Sequence, residues 1–260
     1  MSAAQVSAAA ERLIAATATR IPCAPVRDLI GATDQATAYA VQQRVIAHQL
    51  AQANPPRRTG RKIGLTSKRV QAQIGVDAPD FGVLFSDRHL MRRVPAASLL
   101  QPKVEAEVAF VLSRDLDGEI SARTVTDAID YAVAAIEVVD SRIANWDITF
   151  ADTVADNASF GAYVLGEERR TLAEGFRPVD VAMKMWVDGK LVSEGRGEDC
   201  LGDPINAVVW LASKAQELGD PLRKGEVVLS GALGPMASVK AGSKVEVEIT
   251  GLGSVGAEFV

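Results

Sequence analysis

Residues 101–111 read Gln101-Pro102-Lys103-Val104-Glu105-Ala106-Glu107-Val108-Ala109-Phe110-Val111, an alternation of apolar and acidic side chains that predicts a β-strand. Successive side chains on a strand point to opposite faces, so Glu105 and Glu107 lie side by side on one face and apolar residues line the other. Apolar residues continue to Leu112, which predicts that the strand is half or fully buried. Two neighbouring carboxylates in such a place require a cation, a shared proton or contact with water.

A third carboxylate, Glu137, lies within a second apolar run, and residues 136–139 predict another buried strand. Hard divalent cations prefer oxygen ligands, and Mg²⁺ typically takes a few carboxylates and keeps its other positions for water and substrate. Glu105, Glu107 and Glu137 therefore predict a cage for a divalent metal. The alternative from spacing alone is a solvated strand face that carries two glutamates, and that alternative stays open at this point.

Lys62 lies in the segment 57–67, which predicts a strand running into a tight turn because two glycines flank a short apolar stretch. Lys62 stands against Ile63 and Leu65, whereas the usual place of the nearby arginines is a solvated face. Residues 76–82 predict a turn or loop in which Asp80 stands next to an aromatic side chain. Lys62 and Asp80 are thus charged groups placed beside apolar ones.

The composition is that of a folded globular protein, with 260 residues, of which 48% are hydrophobic and 23% charged. A net charge of −5 without a basic run argues against a nucleic-acid partner, and no apolar stretch is long enough for a membrane span. The first five residues lack the features of a secretory signal, and Cys23 and Cys200 predict free thiols, so we expect a cytoplasmic protein. Histidines are scarce, which leaves catalysis to carboxylates, lysine or metal.

Helices precede a mostly β body in the predicted order of elements, which indicates an α+β fold. In residues 244–250 the glutamates alternate just as at Glu105 and Glu107, yet Lys244 and the flanking glycine-rich turns predict an exposed antiparallel strand. The predicted helices span residues 7–18, 34–52, 124–135 and 203–218. The other predicted strands span residues 179–187, before a hairpin turn at Asp188-Gly189, and residues 226–229, 237–240 and 253–259.

Several motifs occur together and in order along the chain. They are Lys62-Ile63-Gly64-Leu65-Thr66-Ser67, Pro79-Asp80-Phe81-Gly82, Val104-Glu105-Ala106-Glu107, residues 136–142, Val154-Ala155-Asp156-Asn157-Ala158-Ser159, Leu201-Gly202-Asp203-Pro204, residues 230–235 and Gly253-Ser254-Val255. On these motifs the chain resembles the 2-keto-4-pentenoate hydratase / 4-oxalocrotonate decarboxylase family of the fumarylacetoacetate hydrolase superfamily. The resemblance covers residues 60–260, and the N-terminal helical part is similar in length.

The resemblance implies a mixed β-sheet roll, with an N-terminal helical portion at residues 1–60 and a metal-binding catalytic domain at residues 61–260. It also implies that Mg²⁺ (or Mn²⁺) is the cofactor and that the chain forms a homo-oligomer. The site residues implied are Glu105, Glu107 and Glu137 as metal ligands, Lys62 and Asp80 as catalytic groups, and Lys62, Leu65 and Ser159 as substrate-binding groups.

The activity implied by the resemblance is hydration of 2-hydroxypenta-2,4-dienoate (2-oxopent-4-enoate) to 4-hydroxy-2-oxopentanoate in the meta-cleavage degradation of aromatic compounds. Residues 230–236, 195–197 and 200–202 are more similar to the hydratases than to the decarboxylases. The first alternative is decarboxylation of 4-oxalocrotonate (2-oxohex-3-enedioate), and the second is a catalytically silent oligomeric scaffold. Partners expected are a 2-hydroxydienoate or 2-keto acid substrate and a pathway aldolase or decarboxylase.

Overall fold

The N-terminal part of the protein is helical. The structure is a computed structural model that describes residues 2–67, 71 and 78–260. Helix α1 spans Ala3–Thr19, α2 spans Arg27–Ile30 and α3 spans Gln35–Leu50. The helices predicted over residues 7–18 and 34–52 are confirmed, although α1 begins earlier because Ser2 and Gln5 form a capping box at its start.

Strands dominate the rest of the described chain. Thr59 on the first strand hydrogen-bonds Tyr163 on the seventh, at 3.0 Å between their hydroxyl oxygens, although other strands lie between them, so the larger sheet curls into a roll. The strands are β1 (Arg58–Gly64), β2 (Asp80–Phe85), β3 (His89–Leu90), β4 (Arg93–Val94), β5 (Pro102–Leu112), β6 (Ile129–Asp140), β7 (Phe160–Leu165), β8 (Ala182–Val187), β9 (Lys190–Arg196), β10 (Val227–Ala232), β11 (Ala237–Ser238), β12 (Lys244–Ile249) and β13 (Gly253–Phe259). The further helices are α4 (Ala122–Ala128), α5 (Phe150–Ala155) and α6 (Pro204–Glu217).

Two sheets organise these strands. The larger has the order β2-β1-β10-β5-β6-β7-β3, with β11 also paired to β5, and the smaller has the order β4-β13-β12-β8-β9. The larger sheet is mixed, because β1 runs parallel to β10 and β3 parallel to β7 while its other pairs are antiparallel. The expected α+β fold, a mixed β-sheet roll with N-terminal helices, is therefore confirmed.

The hairpin predicted at Asp188-Gly189 joins β8 to β9, and the helix predicted over residues 203–218 is α6, whose first turn is capped by Asp203. In β12 the glutamates and Lys244 are exposed while the alternate residues are buried, so the exposed antiparallel strand is confirmed. The strand predicted over residues 237–240 is shorter and ends at Ser238.

Two predictions of local structure are wrong. The helix predicted over residues 124–135 ends at Ala128, and β6 begins at Ile129, because residues from Tyr131 onward pair with β5 along its length. The loop predicted over residues 76–82 is a strand from Asp80 onward, since β2 pairs antiparallel with β1. The earlier part of that prediction, at residues 76 and 77, lies outside the described residues.

The N-terminal helices share a hydrophobic cluster with a later part of the chain. Leu13 of α1 and Val41 of α3 lie in this cluster together with Val154 of α5. The boundary predicted between residues 60 and 61 falls inside β1 (Arg58–Gly64). The division into an N-terminal helical portion and a catalytic domain stays a prediction.

Candidate metal centre and active site

Three carboxylates meet on one face of the β5–β6 pair. Glu105 lies directly opposite Glu137 in the antiparallel register, and Glu107 lies two residues further along the same face of β5. One oxygen from each of the three side chains lies within 4.8 Å of the other two. Glu107 and Glu137 are fully buried, and Glu105 is partly exposed. The structure thus brings together the three acids that the sequence predicted as metal ligands.

The buried oxygens of this cluster fit a hard divalent cation. Glu107 Oε1 and Glu137 Oε2 have no hydrogen-bond partner among the described residues, and Glu137 Oε1 has only an ion-pair contact with Lys62, whereas Glu107 Oε2 accepts a bond of 2.7 Å from Gly231 N. Burial and then the charge of Glu137 raise the pKa of Glu105 to about 7 and that of Glu107 well above its usual range. Unpartnered buried carboxylates are costly, and an all-oxygen set of this kind suits Mg²⁺, Mn²⁺ or Ca²⁺.

Lys62 approaches the carboxylates from β1. Its Nζ lies 3.1 Å from Glu137 Oε1 and donates a hydrogen bond of 3.0 Å to the carbonyl oxygen of Ala158. Burial acts to lower the pKa of Lys62, but the charges of Glu137, Asp80, Glu105 and Glu107 outweigh it and raise the pKa above its ordinary value. Lys62 is therefore a buried cation fixed beside the acidic cluster.

Asp80 reaches the same cluster because β1 carries a glycine opposite it. Gly64 is the register partner of Asp80, and a Cβ atom on Gly64 would lie 2.2 Å from Asp80 Oδ1 and 3.4 Å from Lys62 Nζ. Asp80 is buried, and its Oδ1 has no hydrogen-bond partner in the described part of the chain. Burial raises the pKa of Asp80, although the Lys62 charge acts in the opposite direction. Gly64 thus leaves the space in which the two predicted catalytic groups meet.

Ser159 ends a buried turn with unusual backbone geometry. Asn157, Ala158 and Ser159 have φ values of 55°, 52° and 53°, a left-handed conformation that costs an L-residue about 1–2 kcal/mol. The side chain of Asn157 stabilises the turn by pairing with the backbone of Val83, accepting at 2.8 Å and donating at 3.0 Å. The turn presents the Ala158 carbonyl to Lys62 and places Ser159 Oγ 3.4 Å from Thr153 Oγ1.

Arg142 stabilises the start of this turn. Its backbone N–H and its Nε donate to the carboxylate of Asp156, at 2.9 and 2.5 Å, and its Nη1 donates to the carbonyl oxygen of Phe160 at 2.7 Å. Burial raises the pKa of Asp156 to about 6 although the Arg142 charge lowers it. Sequence reasoning gave Asp156, Asn157 and Arg142 no individual role, although all three lie in the quoted motifs.

Leu65, the remaining predicted substrate-binding residue, lies one residue beyond Gly64. It has a φ of 56°, and its side chain contacts the hydrophobic cluster of the N-terminal helices. Its carbonyl oxygen accepts a hydrogen bond of 2.8 Å from the side chain of Gln71. Leu65 therefore links the end of β1 to the helical part, next to the glycine that accommodates Asp80.

Among the helices in the described ranges, none has the length and apolar character needed to cross a bilayer.

Comparisons with known proteins give a consistent relationship over the whole chain. Residues 47–260 match the family profile described as Fumarylacetoacetate (FAA) hydrolase C-terminal. The chain is 51% identical over 257 residues to the TodF product hydratase of Pseudomonas putida F1. The aligned region covers 98% of this chain and 95% of that relative. It is also 51% identical over 259 residues to the 2-keto-4-pentenoate hydratase of Burkholderia vietnamiensis G4, covering 98% of this chain and 97% of that relative.

A solved structure matches the fold closely. The 4-oxalocrotonate decarboxylase of Pseudomonas putida G7, complexed with magnesium and adipate, has a TM-score of 0.93 to this chain at 31% identity, covering 100% of this chain and 99% of that one. A second structure of that decarboxylase is complexed with calcium and acetate. Both matches extend through the N-terminal helices as well as the two sheets.

Proposed function

The chain belongs to the fumarylacetoacetate hydrolase family, and we propose that within this family it is a 2-keto-4-pentenoate hydratase. This hydro-lyase adds water to 2-hydroxypenta-2,4-dienoate to give 4-hydroxy-2-oxopentanoate in the meta-cleavage degradation of aromatic compounds. The proposal rests on the identity of about 50% over nearly the full length with proteins named as hydratases. The decarboxylase match is more distant in sequence, at 31%.

The proposed cofactor is a divalent cation, with Mg²⁺ as the first choice and Mn²⁺ as the second. Its proposed ligands are Glu105, Glu107 and Glu137, whose carboxylate oxygens lie within reach of one ion. The related decarboxylase binds magnesium or calcium. When bound, the cation supplies Lewis-acid stabilisation of negative charge on a 2-oxo acid.

Lys62 is proposed to stabilise negative charge on the substrate. Its ammonium group is buried and its orientation is fixed by Glu137 and by the Ala158 carbonyl. An ammonium group in that position can pair with the substrate carboxylate or with the C2 oxygen as the dienol loses its proton. Because the ammonium is already desolvated and oriented, it needs little rearrangement to do so.

Asp80 is proposed as the proton-transfer group. The raised pKa of Asp80 favours a proton on its carboxyl group. Its Oδ1 atom is buried and has no hydrogen-bond partner among the described residues. From Oδ1 a proton can pass to C5 of the dienol, and the resulting carboxylate can orient the water that adds at C4 and take one of its protons, which restores the acid. The proton lost from the C2 hydroxyl group is balanced by the proton gained at C3. Ser159 and Leu65 are proposed to contact the substrate, with Ser159 positioned by its left-handed turn.

Decarboxylation of 4-oxalocrotonate is the second candidate function, because the decarboxylase fold matches at a TM-score of 0.93. A silent scaffold would be indicated by the loss of a metal ligand, and all three acids are present and adjacent. The same proposal includes self-association into a homo-oligomer and association with a pathway aldolase or decarboxylase. It also includes a reducing cytoplasmic location, in which Cys23 and Cys200 are free thiols.

The test is turnover by purified protein. With Mg²⁺ and 2-hydroxypenta-2,4-dienoate, we expect loss of the conjugated dienol absorbance, formation of 4-hydroxy-2-oxopentanoate and inhibition by a chelator. If the dienoate persists while 2-oxohex-3-enedioate releases CO₂, the protein is the decarboxylase. If neither substrate reacts, the protein is the scaffold.

A further inference from the structure

The acidic cluster opens to solvent along β5. Lys103, Glu105 and Glu107 occupy every second position of this strand and so share one face. Glu107 is fully buried, whereas Glu105 and Lys103 are both partly exposed. Glu105 and Lys103 are therefore more accessible to solvent than Glu107, so the site opens toward Lys103, which lies at its mouth, about 7 Å along the strand from Glu105.

Lys103 is held in place at this mouth. Its Nζ lies 4.3 Å from the ring centroid of Trp146, a cation–π contact. The indole N–H of Trp146 donates a 3.0 Å hydrogen bond to the carbonyl oxygen of Gln101. The Gln101 side chain in turn accepts from the backbone N–H of Asn145 at 2.7 Å and donates to the Ile143 carbonyl oxygen at 2.8 Å.

The loop that carries Trp146 is strained to make this contact. Asn145 and Trp146 have φ values of 61° and 56°, in the left-handed region that L-residues rarely occupy. Such conformations persist only where the surrounding contacts fix them, and they concentrate at functional sites. The arrangement of Lys103 over Trp146 is thus specified by the loop and by Gln101 together.

The charge of the site explains what a cation at the mouth can do. With Asp80 protonated, as the proposed proton transfer requires, the three glutamates balance the charges of Lys62 and a divalent cation. An incoming 2-oxo acid carries a carboxylate, and a site without excess positive charge does not attract it from a distance. Nearby acids have their own partners: Asp147 pairs with Arg27, and the Asp140 carboxylate accepts from the backbone N–H groups of Leu100 and Gln101. Lys103 is therefore an additional positive charge on the same face of β5 as Glu105.

We propose that Lys103, positioned by Trp146, captures the carboxylate of the incoming substrate at the mouth of the site and selects anionic 2-oxo acids. This role rests on the proposed function, since it assumes a 2-oxo acid substrate. Lys103 acts on the approach and binding of the substrate, while Lys62 and Asp80 act on the bond changes.

The proposal is tested by binding measurements with three variants, Lys103→Met, Lys103→Arg and the matched control Lys190→Met. Lys190 is an exposed lysine on β9. The probe is 2-oxopentanoate, which lacks the double bond that would be hydrated, titrated into Mg²⁺-loaded protein by calorimetry. We expect Lys103→Met to raise the Kd of 2-oxopentanoate by about fivefold to tenfold, consistent with one charge acting over several ångströms. Lys103→Arg and Lys190→Met are expected to stay within about twofold of the unmodified protein.

A second titration separates electrostatic capture from structural damage. Mg²⁺ titrated into metal-free Lys103→Met should bind a few-fold more tightly, because a positive charge near Glu105 has been removed. Structural damage would instead weaken the binding of both 2-oxopentanoate and Mg²⁺. If both Kd values rise together, or if the Kd of 2-oxopentanoate is unchanged in Lys103→Met, the proposal is overturned.

The aromatic contact has its own test. Trp146→Phe keeps a ring beneath Lys103, so its Kd for 2-oxopentanoate should stay within about twofold of that of the unmodified protein. Trp146→Leu removes the ring, and its affinity for 2-oxopentanoate should fall by about threefold. Equal losses in the two variants would remove Trp146 from the role. If the unmodified protein hydrates the dienoate while Lys103→Met binds 2-oxopentanoate normally, the capture role alone fails. If the unmodified protein neither hydrates the dienoate nor binds 2-oxopentanoate, both the capture role and the proposed function fail.

Discussion

β5 and β12 carry the same pattern of alternating glutamates and place them in opposite environments. On β5, Glu107 is fully buried and faces the interior of the curled sheet. On β12, Glu246 and Glu248 are exposed and face solvent, while the alternate residues are buried against the core. One strand lies within a roll and the other has only one covered face, so the same spacing yields a candidate metal site in one case and a solvated face in the other.

The neighbouring strand accounts for the remaining difference. On β6 the residue opposite Glu105 is Glu137, which adds a third carboxylate. On β8 the residue opposite Glu248 is Lys184, whose positive charge offsets the negative charge of the glutamate. A carboxylate pair on one strand is therefore insufficient, and the cross-strand partner together with the exclusion of water determines whether a cation is required.

The largest difference between the two strands should appear in metal affinity. Glu107→Gln removes a charged ligand from the buried cluster and is expected to weaken Mg²⁺ binding by at least about 100-fold, since changes outside the ligand set already cost 10–100-fold. The matched variant Glu246→Gln should leave the Kd unchanged. Calorimetric titration of both variants checks this, and unchanged Mg²⁺ affinity in Glu107→Gln would rule out the cage.

The lysines associated with the two strands should differ in catalysis. Lys62→Met removes the buried cation beside Glu137 and is expected to lower kcat by about 100-fold, within the range of a positioned charge or acid–base group. Lys244→Met, at the exposed start of β12, should retain full activity. Steady-state kinetics of the proposed hydration measure both, and full activity in Lys62→Met would exclude Lys62 from the mechanism.

In the absence of metal, the buried acids should destabilise the fold. Glu107→Gln relieves repulsion from Glu105 and Glu137, so the metal-free variant is expected to be more stable by about 1–2 kcal/mol. This corresponds to a rise in Tm of several degrees. Excess Mg²⁺ should stabilise the unmodified protein and have little effect on the variant. Thermal unfolding with and without chelator measures this, and a lower Tm for metal-free Glu107→Gln would contradict the account, as would a shift in Glu246→Gln.

The smallest effect is expected from copying the three-acid pattern onto the exposed strand. Lys184→Glu places a carboxylate directly opposite Glu248 and diagonal to Glu246, much as Glu137 lies directly opposite Glu105 and diagonal to Glu107. These carboxylates stay hydrated and screened by salt, so Mg²⁺ should bind this face only in the millimolar range or more weakly. Titration into Lys184→Glu/Glu107→Gln isolates the new face, and micromolar binding there would show that spacing suffices without burial.

Much of the site could be predicted from the sequence because its ligands lie on strands with clear periodicity. The alternation at Glu105 and Glu107 set their common face, and the apolar surroundings of Glu137 marked it as buried. That Glu137 lies opposite Glu105 depends on the register of β6, which only the pairing of whole strands determines.

The remainder could not be predicted because distant contacts determine it. The positive φ values of Asn157, Ala158 and Ser159 depend on hydrogen bonds to Val83 and Lys62, far away in the sequence. Local propensity alone would not favour such a turn.

Arg61 and Asp80 illustrate the same limit for charged residues. Arg61 is buried between Glu226 and Asp220, at 3.0 and 2.9 Å, whereas its sequence neighbours suggested a solvated face. Asp80 begins a strand because β1 pairs with it, although the turn formers before it predicted a loop.

The most direct measurement is a crystal structure of the protein grown with Mn²⁺, with diffraction data collected at the manganese absorption edge. We expect one anomalous peak between β5 and β6, at bonding distance from an oxygen of Glu105, of Glu107 and of Glu137. The absence of a peak there, or a peak coordinated by other side chains, would contradict the three-carboxylate centre and the mechanism built around it.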